Sequence, residues 1–184
     1  MEGEIINAII SNTDTLSAAF DLNNNIWKIY DPLMEVLKKQ LNEKSKFKTK
    51  DEEWGISTRS HPESYFTFNF SDSRYEVSVA LGFDDKPRKD FSIGVYSNND
   101  KLKPGTEQFI KLQNEITQKL EFIGDCHIPC QKNYLYVCYE LNDESLVAWD
   151  EGSSIWVGIP NGQTATKLID LVNTIYENIK DLGI

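Results

Sequence analysis

Cys126, His127 and Cys130 are the tightest group of metal-capable side chains in this 184-residue sequence. Two thiolates and an imidazole are sound zinc donors, and Cys138 or His61 would complete a set of four. The spacing is C-x3-C rather than the C-x2-C of common zinc knuckles, and no second pair follows it. The expectation is therefore a loop carrying two thiols, with no cofactor. Asp72, Glu76 and Asp90 are the nearest approach to a carboxylate site for Mg²⁺, which takes oxygen ligands. A nuclease of that kind also needs a lysine two residues after its second acid. Ser78 and Ser92 occupy those positions. With only His61 and His127 in the chain, a serine or cysteine nucleophile has few bases to choose from. No G-x-S-x-G surrounds any serine, and no glycine-rich phosphate loop is present. No catalytic residue is assigned.

A more suggestive group mixes acids with tryptophan. Asp143, Glu144, Trp149, Asp150, Glu151 and Trp156 fall around two predicted hairpin ends. Aromatic anchors flanked by carboxylates suit a protein partner with a basic surface. On this reading, replacing Asp150 and Glu151 by lysine abolishes partner capture. The alternative is that the tryptophans are core and the acids solvate turns.

The charge distribution agrees with an acidic binding face. Segments 1–27, 28–50, 51–119 and 120–184 carry net charges of −4, +4, −3 and −7, which together give the −10 of the whole chain. An acidic final third repels phosphate and attracts basic surfaces, so a nucleic-acid partner is not expected. The lysine-rich stretch, with Lys38, Lys39, Lys44, Lys46, Lys48 and Lys50, reads as the solvated face of a helix and its trailing loop. A contact between those lysines and DNA would be the competing reading. A DNA mimic built from regularly spaced carboxylates is a third.

These residues need a scaffold, and the chain encodes one. Forty per cent hydrophobic and 11% aromatic content suits one packed domain over residues 1–184. No basic leader, no apolar run of membrane length and an odd number of cysteines lead us to expect a cytoplasmic, reduced protein without a membrane partner. Ile5, Ile6, Ile9 and Ile10 share a helical face, and Leu16, Ala19 and Phe20 a second. Residues 1–22 are thus an N-terminal helical segment packed on the domain. Asp31 and Pro32 read as N-cap and first position of a helix with Leu33, Leu37 and Leu41 inward. Period-two alternation marks strands at Tyr65–Phe70, Tyr75–Phe83 and Phe91–Val95, preceded by a short one near Trp54–Arg59. Thr106 caps a helix carrying Phe109, Leu112, Ile116 and Leu120. Strands are expected at Leu135–Leu141, Leu146–Trp149 and Ile155–Ile159. Asn161-Gly162 breaks the pattern before a closing helix with Leu168, Leu171, Val172, Ile175 and Ile179. The fold class is α+β, an antiparallel meander with flanking helices in the order α-α-β(3–4)-α-β(2–3)-α.

The helix, three-strand meander, helix, strand order between Asn23 and Leu141 is similar to the core order of PD-(D/E)XK nucleases. Taken with Trp27, Trp54, Tyr65-Phe66-Thr67-Phe68, Ile93-Gly94-Val95, Leu135-Tyr136-Val137 and the Trp149/Trp156 pair, the chain resembles a particular set of regions. These are uncharacterised α+β regions, some called domains of unknown function, that follow such nuclease domains in bacterial and phage proteins. The likeness spans residues 23–182 through scattered aromatics. It implies a stand-alone accessory, inhibitor or immunity protein of a prokaryotic or phage conflict system. A divergent nuclease-like or nucleic-acid-associated domain is the other expectation it leaves.

Overall fold

In the computed structural model, the described residues are 27–53, 64–70, 74–84, 90–97, 102–126, 134–143, 146 and 154–183. Helix α1 (Trp27–Lys44) leads into a six-stranded, wholly antiparallel sheet. Its strands are β1 (Lys48–Glu53), β2 (Ser64–Asn69), β3 (Val77–Asp84), β4 (Asp90–Ser97), β5 (Gly124–Cys126) and β6 (Tyr134–Leu141). Their order across the sheet is β1-β2-β3-β4-β6-β5. Helix α2 (Glu107–Lys119) connects β4 to β5. A one-turn helix α3 (Ser154–Val157) precedes the closing helix α4 (Gln163–Ile179) and a 3-10 turn at Lys180–Leu182. The architecture is the α+β meander expected, with the first four strands consecutive.

The alternation of apolar residues sets the register. Phe66 stands opposite Leu81 and Phe68 opposite Val79, and Leu81 and Val79 in turn face Ile93 and Val95. Ile93 and Val95 continue the row to Cys138 and Tyr136. Because side chains alternate between faces, this register puts one continuous apolar layer on a single side of the sheet. Leu37 and Leu41 of α1, Ile116 and Leu120 around α2, and Leu168, Val172 and Ile175 of α4 join it in one buried core. The intervening residues are small: Thr67, Ser78, Ala80, Gly82, Ser92 and Gly94. They too are buried. Alternation alone is compatible with a solvated outer face, but at these positions both faces of the sheet are enclosed. Small side chains lie close to the backbone and can be enclosed at little desolvation cost when they are bonded. The Ser78 hydroxyl, for instance, donates to Asn69 Oδ1 at 2.6 Å. Gly94 leaves room for the Tyr134 ring, because a Cβ at that position would lie 2.8 Å from it and force it to shift.

The helix starts differ in kind. Thr106 is the N-cap of α2, its Oγ1 accepting from the Phe109 amide at 3.3 Å. Asp31-Pro32, by contrast, does not begin α1. The helix is already formed at Trp27, the first described residue, and runs through Pro32. Proline removes the one donor that would reach the Lys28 carbonyl. Gly162 stands before α4 at φ 77°, a left-handed conformation that disfavours side chains with a Cβ. Asn161 Oδ1 accepts from the Gln163 amide at 3.0 Å and serves as the cap that glycine lacks.

Two segments depart from expectation. Ile155–Ile159 is not a strand: residues 154–157 form α3, and 158–162 form the turn into α4. Leu146 is helical, and its amide donates to the Asp143 carbonyl at 2.9 Å. The strand expected near Trp54–Arg59 and the helical pieces of residues 1–22 lie outside the described residues. Strand β1 occupies the stretch just before Trp54, so Lys48 and Lys50 stand on a strand and not in a loop trailing α1.

Candidate functional site: a groove between the α2–β5 turn and helix α4

Beyond α2 the chain makes a tight turn, Glu121–Ile123, before entering β5. The Ile123 amide donates to the Leu120 carbonyl at 2.9 Å, and the buried Tyr136 hydroxyl donates to the same carbonyl at 3.2 Å. Asn142, just past β6, clasps the turn from the other side. Its amide donates to the Ile123 carbonyl at 2.8 Å and its Nδ2 to the Phe122 carbonyl at 3.2 Å. Ile123 is thereby turned into the core, whereas Phe122 is held outward with 46% of its surface exposed. A residue fixed at two successive carbonyls loses little further backbone freedom on binding.

Phe122 forms one lip of an open groove of about 390 Å³. Ile123, Leu141 and Leu146 make the apolar floor. Helix α4 forms the far wall through Lys167, Asp170, Leu171 and Thr174, positions spaced three and four apart that share one helical face. Asp143 closes the end next to β6. Two carboxylates and one ammonium thus rim an apolar trough, in the third of the chain that carries net −7. The Thr174 hydroxyl donates to the Asp170 carbonyl at 2.8 Å and is used within the helix.

Of the six residues singled out in the acid and tryptophan patch, the structure brings Asp143 to this groove. Trp156 is 4% exposed and belongs to the core. Glu144, Trp149, Asp150 and Glu151 lie outside the described residues. Cys126 pairs in register with Cys138, which is fully buried in the core outside any disulfide; His127 and Cys130 lie outside the described residues. No group of three or more histidine, cysteine or acidic residues able to hold a metal occurs among the described residues.

Glu76 and Asp90 cannot share a metal ion. Glu76 precedes Val77, which pairs with Ser97, while Asp90 pairs with Asp84 at the other end of the same hairpin. At ~3.3 Å per residue they stand roughly 25 Å apart. Asp72 lies outside the described residues.

Four of the six lysines in the lysine-rich stretch have partners within the fold. Lys38 pairs with Glu35 at 3.2 Å and Lys39 with Glu43 at 3.9 Å. Lys44 Nζ donates to the Gly162 carbonyl at 3.2 Å and to Thr166 Oγ1 at 2.7 Å. Lys46 lies 3.7 Å from Glu177.

Phe122 and the α4 wall were not singled out from sequence. The available signal was that Phe122 falls out of phase with the Phe109, Leu112, Ile116, Leu120 stripe, two residues before Gly124. No protein-family model matches the chain, and comparison with curated proteins and with solved structures finds no significant match. Among the described residues, no helix is long and apolar enough to cross a membrane.

Proposed function

We propose that this chain is a non-catalytic protein-binding module. Its groove takes a segment of another protein that presents an apolar side chain beside lysine or arginine. The observation that carries this reading is Phe122, an aromatic ring held outward over an apolar trough with Asp143 and Asp170 on the rim. The apolar floor anchors, since burying one Leu- or Phe-sized side chain is worth about 1.5–3 kcal/mol. The carboxylates select, because charge at a rim acts mainly on approach rate and on rejection of wrong partners. The excess of acid over base in the final third extends that selection beyond the groove. An inhibitor, immunity or accessory role in a prokaryotic or phage conflict system suits such a site, because an acidic rim fits a partner whose surface is basic.

The test is quantitative capture from a lysate of the source cells, comparing wild type with the Asp143→Lys/Asp170→Lys double variant and with Glu107→Lys, an exposed control on α2. A partner enriched by wild type and by the control should be retained at least tenfold less by the double variant, in keeping with the cost of placing like charges together. Its salt dependence should also flatten. Equal retention by all three proteins overturns the groove as the binding site.

A further inference from the structure

A second site lies away from the groove, where the α1–β1 corner meets the end of α4. Phe47, Phe70 and Tyr176 form a nearly equilateral triangle of rings, with centroids 4.7, 5.0 and 4.9 Å apart. Phe70 is buried at its base, while Phe47 and Tyr176 are half-buried and turn part of their surface outward. The Lys46 ammonium sits 5.1 Å from the centroid of Phe47 and 5.1 Å from that of Tyr176, and 3.7 Å from the Glu177 carboxylate. Two aromatic rings and a carboxylate thus surround one cation, within the distance at which ring quadrupoles attract positive charge.

We propose that this corner is a recognition site for a methylated or quaternary ammonium group, with Lys46 as its built-in competitor. The Lys46 side chain is 53% exposed and Glu177 51% exposed, so the ion pair between them contributes little. A primary ammonium is compact and strongly hydrated, so it loses much by leaving water for an aromatic surface. A trimethylated ammonium has no N–H to hydrate and spreads its charge over methyl groups, which pack well on ring faces. It gains more from the same two rings and displaces the lysine. Glu177 remains available as counter-charge. Its hydrogen bond from Lys180 shifts the carboxyl downward from its ordinary value, which favours the anion. Lys180 therefore secures the anion while Lys46 occupies the ring faces.

The ligand chemistry is a trimethylammonium group, whether carried on a modified lysine of another protein or on a small molecule of the choline type. The experiment titrates the full chain, isotope-labelled on its aromatic rings, with tetramethylammonium chloride, with choline and with a trimethyl-lysine peptide. NMR shifts of the Phe47 and Tyr176 rings are followed against sodium chloride of equal ionic strength. Saturable shifts are expected with tetramethylammonium and not with sodium. They should occur at roughly fivefold lower concentration in Lys46→Ala, because removing the competitor raises the fraction of open sites. Glu177→Gln, which keeps size and polarity, should weaken binding several-fold with the spectrum otherwise unchanged. A peptide that binds well above choline marks a modified protein as the source; equal binding marks the small molecule. Absence of saturable shifts in Lys46→Ala, or shifts indifferent to Glu177→Gln, overturns the proposal.

Discussion

Replacing Phe68 with alanine is expected to destabilise the protein by about 3–5 kcal/mol, the cost of a large aromatic-to-alanine deletion in a core that cannot fully collapse. Phe68 has no solvent exposure, and its ring centroid is 5.2 Å from that of Phe66. In register it stands between Thr49 of β1 and Val79 of β3, so strands fix its backbone on both sides. Strands held by two neighbours relax poorly into a cavity, which places the cost toward the upper part of the range. Domains of this size are stable by only about 5–15 kcal/mol in total, so the loss is a large share of what exists. Urea unfolding should show a much lower midpoint with little change in slope. Val36→Ala, at a 41% exposed position on α1, should change stability by no more than about 0.5 kcal/mol. Similar costs at the two positions would mean that the apolar layer is not where the register places it.

Leu168→Ala is expected to cost about 2–5 kcal/mol, while Lys167→Ala next to it costs no more than about 0.5 kcal/mol. The contrast tests the rotational setting of α4. Leu168 is fully buried and belongs with Val172, Ile175 and Ile179 to the inward stripe. Lys167 is exposed and lies on the groove wall one residue earlier, about 100° around the helix. A helix rotated by a single residue would exchange the two results. The comparison therefore checks, in one element, both the core and the wall on which the proposed binding site depends.

How far such features could be read from sequence varied with the kind of signal. The strands around Phe66, Val79 and Ile93 were legible because alternating large apolar residues with period two have few other uses. The stripe of α4 and the Thr106 cap of α2 were legible for the same reason, since period and cap residue agree. Ile155–Ile159 was misread as a strand because a five-residue apolar run carries no period that separates strand from buried helix. Trp156 then went into the core with α3 and not to a hairpin end. The burial of Thr67, Ser78 and Ala80 was hidden for another reason: small residues are compatible with either side of a surface, and only packing decides. As for the groove, Asp143 was legible as an exposed acid beyond β6. Phe122, Asp170 and Leu171 were not, because they come together where α4 packs back beside α2 and the turn that follows it, a contact that local pattern does not encode.

The claim on which the functional reading rests is that the partner binds in the groove walled by Phe122 and α4. Amide hydrogen exchange of the full chain, free and saturated with the partner recovered by capture, tests this most directly. Slowed exchange is predicted at Phe122–Gly124, around Asp143, and along Lys167–Thr174, with β1 and the lysine-bearing outer face of α1 unchanged. Protection confined to α1 and β1, with the Phe122 turn and the α4 wall exchanging as in the free protein, would contradict it.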